Sequence, residues 1–157
     1  MNTKGNERYT VLQWACIRGE TETVKLLIES SKDFDIDLNA KDIDGHTAWH
    51  LACNCGRTKT AQLIMQNSKD FDIDLNTKST SGRTALHDAC MIGQTESVLM
   101  ILKNWNEFGI DIKAQNDEDS TALDLINRRW GENSNQIKKM LEKEYSRIDI
   151  TESLDFD

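Results

Sequence analysis

The 157-residue chain has no proline, and its eight glycines are sparse. Every backbone N–H can therefore donate, and turns must rest on glycine, asparagine and aspartate. No run approaches the ~18 apolar residues of a membrane span. The opening residues, MNTKGNERYT, lack the apolar core of a secretory leader. Positive charge is in deficit: 19 Lys and Arg stand against 27 Asp and Glu, for a net charge of -8. Non-specific nucleic-acid binding draws on clustered positive charge, so neither a nucleic acid nor a membrane is the expected partner. These shortages predict a cytoplasmic location, with the nucleus as a second one. Four cysteines fit a reducing compartment if they stay unpaired.

What is present is a period. SKDFDIDLN occurs twice, at Ser31–Asn39 and Ser68–Asn76, 37 residues apart. The same step links Thr10, Thr47, Thr84 and Thr121, then Cys16, Cys53 and Cys90, then Gly19, Gly56 and Gly93. Leu12, Trp49, Leu86 and Leu123 keep one apolar register, and Ala15, Ala52 and Ala89 another. A fixed period of this size marks stacked units, each unable to bury its apolar face alone.

Each unit reads as two helices and a loop. TVLQWACIRG, TAWHLACNCG and TALHDACMIG predict a short helix with a Thr N-cap and a Gly stop. A second helix is expected over Thr21–Ser30, Thr58–Asn67 and Thr95–Asn104, with Val24, Leu27 and Ile28 and their equivalents at helical spacing. DFDIDLN alternates Phe34, Ile36 and Leu38 with Asp33, Asp35 and Asp37, which predicts an extended, half-buried segment. Asp44-Gly45 and Ser81-Gly82 supply a turn before the next Thr.

TAWHLACNCG and TALHDACMIG resemble the ankyrin signature T-P-L-H-x-A-x-x-x-G, and LNAKDIDG resembles its finger. The resemblance covers about residues 9 to 145. The signature proline is replaced by Ala48 and Ala85, and the unit is longer than the usual ~33 residues, the excess falling around DFDI. It implies an all-α solenoid of stacked helix-turn-helix units with extended finger loops. The expected division is one ankyrin-repeat domain over 1–145, with repeats at about 9–45, 46–82, 83–119 and 120–145. An acidic, flexible tail is expected over 146–157. The outer copies differ as caps should: no finger precedes the first, and Gln13 takes its His position, a capping box with Thr10. The fourth has Asp124 and Asp119 in place of His and Gly, and a polar last helix over Asn133–Tyr145.

No catalytic residues, cofactor or metal are expected. His50 and His87 follow their Thr by three residues, and the resemblance implies a buried bridge from Thr hydroxyl through imidazole to a neighbouring repeat. Cys53-x-Cys55 lacks the spacing of a zinc site, and Cys16, Cys53 and Cys90 read as small core residues. Asp33-x-Asp35-x-Asp37 opens like a calcium loop, but Leu38 stands where that loop needs Gly. Asn39 and Asn76 are expected to hold a turn.

In ankyrin-like stacks the positions that vary between copies line the concave face. At the end of the first helix these are Ile17 and Arg18, Asn54, Met91 and Ile92, then Arg128 and Arg129. Trp14 and Asp88 follow the His slot, and the fingers contribute Lys41, Ile43, Asp44, His46, Lys78, Thr80, Arg83, Asp117 and Glu118. Apolar Ile17, Met91 and Ile92 within a polar rim suit an interface core, and Trp14 and Arg83 are hot-spot types. The expected function is a non-catalytic protein-interaction module, monomeric by itself, that holds a partner protein in this groove as a scaffold or adaptor. Two other readings are a stand-alone inhibitor that masks a kinase or transcription factor, and a fragment of a longer array.

Overall fold

The computed structural model describes residues 9–128 and 132–154. Among these the only regular elements are eight helices, and they keep the sequence period. The first helices of the units are α1 Val11–Arg18, α3 Ala48–Asn54, α5 Ala85–Ile92 and α7 Ala122–Asn127. The second helices are α2 Thr21–Glu29, α4 Thr58–Gln66, α6 Thr95–Phe108 and α8 Glu132–Leu154. Each helix starts 37 residues after its counterpart. α1 packs on α3, α3 on α5 and α5 on α7, while α2, α4, α6 and α8 form a second row behind them. The chain folds as the stacked helix-turn-helix solenoid that its period predicts.

The caps have physical reasons. Thr10, Thr47, Thr84 and Thr121 sit at the N-caps in extended conformation, each closing a capping box with the side chain three residues on. Gly19 and Gly93 end α1 and α5 in the left-handed region, at φ 74° and 86°. Between the rows lies one continuous core: Leu12, Ala15, Cys16, Val24 and Ile28 in the first unit, and their equivalents onward to Ile137 and Leu141. Cys16, Cys53 and Cys90 are buried in it. Burial pushes the thiols of Cys16 and Cys90 up to about 12 and that of Cys53 well above its ordinary value, so they pack as apolar groups.

Three expectations need correction. DFDIDLN is not extended throughout. Ser31 to Asp35 form a turn closed by the Ile36 N–H to Ser31 carbonyl bond at 2.9 Å, and Asp35 and Asp72 adopt φ 52°. Asp tolerates this left-handed conformation through local polar bonding, and the third unit places Gly109 there at φ 64°. The residues beyond the usual repeat length thus add a turn to the end of the second helix. In α6 that turn is fully helical and reaches Phe108. Ile36 and Leu38 face inward as expected, but Phe34 is 75% exposed.

The second correction concerns residues 146–154, expected as a loose tail. They continue α8. Buried Ile137 and Leu141 are followed at helical spacing by Tyr145 and Ile148, which pack against the core. The Tyr145 hydroxyl donates to the Ile112 carbonyl at 2.7 Å, and Lys113 pairs with Asp149. Residues 155–157 lie outside the described residues.

The third concerns the first unit. MNTKGNERYT runs in step with LNAKDIDGHT and LNTKSTSGRT, so a finger-like stretch does precede α1 in sequence. Residues 1–8 lie outside the described residues.

Candidate protein-binding groove

The groove is built from fingers set beside the first helices. In each finger the residue opening the turn ties it: Asp42 Oδ1 accepts the Asp44 and His46 N–H groups, and Asn116 Oδ1 accepts those of Glu118 and Ser120. Ser79 does the same by its hydroxyl, at 3.3 and 3.4 Å. Gly45 turns at φ 77°, and a Cβ there would come within 2.8 Å of the Thr80 nitrogen on the next finger. Glycine is required by the close approach as well as by the backbone sign.

Fingers are strapped to one another. The Thr80 N–H donates to the Asp44 carbonyl at 2.9 Å, Lys41 Nζ to the Lys78 carbonyl at 3.1 Å, and Lys78 Nζ to the Gln115 carbonyl at 2.8 Å. Asn39 and Asn76 each reach across a joint, donating to the carbonyls of Asp72 and Gly109 and accepting from the N–H groups of Asp74 and Asp111, all at 2.8 Å.

The histidine slot fixes the helices to the fingers. Thr47 N–H and the Thr47 hydroxyl both meet His50 Nδ1, at 3.3 and 3.0 Å. Nδ1 is therefore the acceptor, and Nε2 carries the proton toward the Arg83 carbonyl at 3.2 Å. His87 repeats this with Thr84 and the Ser120 carbonyl at 3.0 Å. Gln13 does the same work: its amide donates to the Ala40 and His46 carbonyls at 2.9 and 3.2 Å. Burial lowers His50 to about 4 and lowers His87, so both are neutral bridges rather than bases.

The chosen variable positions fall into three groups. Trp14, Ile43 and Ile92 are exposed, at 47%, 64% and 55%. Arg18, Lys41, Asp44, Lys78, Thr80, Asp117, Glu118 and Arg128 are exposed as well, and Ile17, Asn54 and Met91 are half-buried. Arg18 lies over the Trp14 ring, 5.9 Å from its centroid, and Arg128 reaches Glu118 on the neighbouring finger at 3.5 Å. Arg129 lies outside the described residues.

Asp88 corrects the expectation that it faces a partner, because it is only 4% exposed. Its carboxylate meets Arg83 Nε at 2.8 Å and His46 Nε2 at 3.3 Å. The other ring nitrogen of His46 faces Asp42 at 3.5 Å. The Asp88 hydrogen bond raises His46 above its ordinary value, against the opposing effect of burial. Burial alone would raise Asp88, but the His46 hydrogen bond and the Arg83 charge outweigh it and leave Asp88 below the usual carboxylate range. His46, Arg83 and Asp88 thus form an internal ionic latch between the second and third units. Sequence reasoning placed all three in the groove but missed that they spend their charges on each other, and it missed Asp42.

It also missed Arg57 and Gln94. Arg57 Nε donates to the Ile17 carbonyl at 2.9 Å and the Gln94 amide to the Asn54 carbonyl at 2.8 Å. Two side-chain donors at the same repeat position were the available signal. Among the described residues no group of three or more His, Cys, Asp or Glu is placed to hold a metal, and no helix is long and apolar enough to cross a membrane.

A profile described as ankyrin repeats (3 copies) matches residues 1–79 and 33–116. A search of curated proteins finds no match. Over most of its length, and with the helix pairs, fingers and histidine bridges in register, the chain belongs to the ankyrin-repeat family.

Proposed function

We propose that this chain is a non-catalytic adaptor, monomeric by itself, that binds a segment of a partner protein along the concave row formed by the first-helix ends and the fingers. The carrying observation is the exposure of Ile43 and Ile92, whose described counterparts in the other units are open or half-open to solvent, together with the exposed Trp14 on the first unit. Large apolar side chains left in water on a bridged, preformed scaffold are the usual core of an interface, and Arg18, Lys41, Asp44 and Lys78 give it a polar rim. The scaffold changes little on binding, because its fingers are already strapped to each other and to the helices. The acidic balance favours a protein over a nucleic acid as partner, and the buried thiols suit a reducing cytoplasmic or nuclear setting.

The test uses the full chain as bait in cell extract, with a Trp14→Ala/Ile43→Asp/Ile92→Asp triple variant beside it. Partner recovery should fall by about tenfold or more in the variant, since hot-spot losses of ~1.4 kcal/mol or more each give a factor of ten. Its thermal midpoint should stay within about 2 °C, because exposed positions contribute little to folding. Equal recovery by both baits sinks the groove assignment.

A further inference from the structure

The turn between α1 and α2 and the turn between α3 and α4 border an open cavity of about 290 Å³ that meets the groove at Arg18. Arg18, Arg57 and Lys59 line it with Thr21, Thr58 and Thr60, and among the described residues no carboxylate does. Three cations around one small well are unexpected in a chain of net charge -8. The next joint lacks them: one 37-residue step on, their equivalents are Cys55, Gln94 and Glu96. Stacking does not need the charge either. Arg57 lies across Gly19 and donates from Nε to the Ile17 carbonyl, and Gln94 lies across Gly56 and donates to the Asn54 carbonyl with a neutral amide. That packing and that bond hold the Arg57 stem, while its two terminal nitrogens make no hydrogen bond or ion pair among the described residues. Lys59 forms no ion pair there either. Arg18 meets Glu20 only at 4.0 Å, with both side chains exposed.

We propose, building on the groove reading, that this well anchors a pair of acidic side chains, Asp or Glu, at one end of the partner segment that the groove holds. With Nε engaged, the Arg57 guanidinium offers its end-on pair of N–H donors, a fork that takes both oxygens of one carboxylate. Arg18 and Lys59 flank it and answer the second carboxylate. The Arg57 stem is already held, so little side-chain entropy is lost on binding. The rest of the molecule is acidic, so an acidic segment is repelled elsewhere and steered to this end. The well also sets a distance. Ile92 occupies the Arg18 position two units further on. Packed helices stand about 8–10 Å apart, so two units span ~16–20 Å, or about five or six residues of extended chain. The segment therefore carries its acidic pair and a large apolar residue about five or six positions apart.

The test pans a phage-displayed library of random dodecapeptides against the full chain. Enriched peptides should carry adjacent Asp or Glu and a large apolar residue about five or six positions away. Arg57→Gln keeps the joint bond, as Gln94 shows, so the thermal midpoint should move by no more than about 2 °C while the affinity of an enriched peptide falls by about tenfold. Lys59→Glu should weaken the same peptide, and added salt should weaken wild-type binding more than binding to Arg57→Gln. Ile92→Asp should weaken it from the apolar end. Peptides lost with Ile92→Asp but indifferent to Arg57→Gln overturn the acidic anchor and leave the groove standing. Peptides lost with Arg57→Gln but indifferent to Ile92→Asp sink the groove reading, and this placement with it. Enrichment of no peptide sinks both. A phosphoserine version that binds more than about tenfold tighter than the acidic pair makes a phosphorylated segment the ligand. A dimer of the chain that Arg57→Gln disperses makes the acidic Asp117-Glu118 finger of a second copy the occupant. Either result overturns the assignment.

Discussion

Two regions of one slot differ in a telling way. At the third position of the first helix, the first three units carry Gln13, His50 and His87, and the fourth carries Asp124. All four close the cap on their Thr. Only the first three own a second polar end, and each turns it on a carbonyl of the following finger. Asp124 is an acceptor alone: it takes the Thr121 N–H and hydroxyl at 2.9 and 2.8 Å. The slot is a cap everywhere and a bridge only where a finger follows among the described residues. Side-chain chemistry, not helix propensity, marks where the stack continues.

The sharpest way to break this contrast is to empty the slot at both places. His87→Ala removes a buried ring and leaves the Ser120 carbonyl without its donor, a cavity plus an orphaned acceptor worth about 3–4 kcal/mol. Asp124→Ala removes a cap alone, worth about 1 kcal/mol. Urea unfolding of the two variants should separate them by about 2–3 kcal/mol. Equal losses would mean that the bridge adds nothing to the cap.

Acid sharpens the contrast further, because His50 is held near 4 by burial while the unfolded chain titrates at the ordinary histidine value. Between those values the unfolded state binds the extra proton, so stability falls as pH drops from about 6.5 to about 4. A shift of this size corresponds to about 3 kcal/mol over that window. His87 acts in the same direction. His46 acts oppositely: its folded value is raised, so its contribution is complete below about 6.5 and is lost as pH rises through the folded value. Gln13 shows that a non-titrating amide fits the slot. His50→Gln/His87→Gln should therefore cost about 1 kcal/mol or less at pH 7 and remove most of the slope below pH 6.5. A slope unchanged in the double variant would place the acid sensitivity elsewhere.

The same contrast explains what was legible in the sequence. Helix starts, Thr caps and the histidine bridge recur in every unit, so the period exposes them. Asp88, Arg83 and His46 do not recur together. Their equivalents include Leu51, Ser120 and Tyr9, so nothing periodic says that three charges from different elements will meet. The α8 extension was unreadable for a related reason. Its anchors, Tyr145 on Ile112 and Asp149 on Lys113, are contacts between distant residues within a stretch whose composition is that of a solvated tail. Asp35 and Asp72 hid a turn because alternating Asp looks like strand patterning, while the left-handed conformation that Asp tolerates leaves no mark on the period.

The turn glycines give the smallest and most local version of the comparison. Gly82 and Asp119 occupy the same place, one step apart, both left-handed at φ 69° and 55°. A Cβ at Gly82 would lie 2.7 Å from the Asp117 nitrogen of the next finger. At Asp119 no further finger follows among the described residues, so a side chain has room and only the backbone sign matters. Gly82→Ala should thus cost about 2 kcal/mol, part from the left-handed backbone and part from the finger it displaces. Asp119→Ala should cost about 0.5 kcal/mol, since Ala merely lacks the local polar bonding that makes Asp tolerant there. Denaturant midpoints of the pair measure the difference. Equal costs would mean that backbone strain alone, and not the packing of finger on finger, selects glycine at the turn.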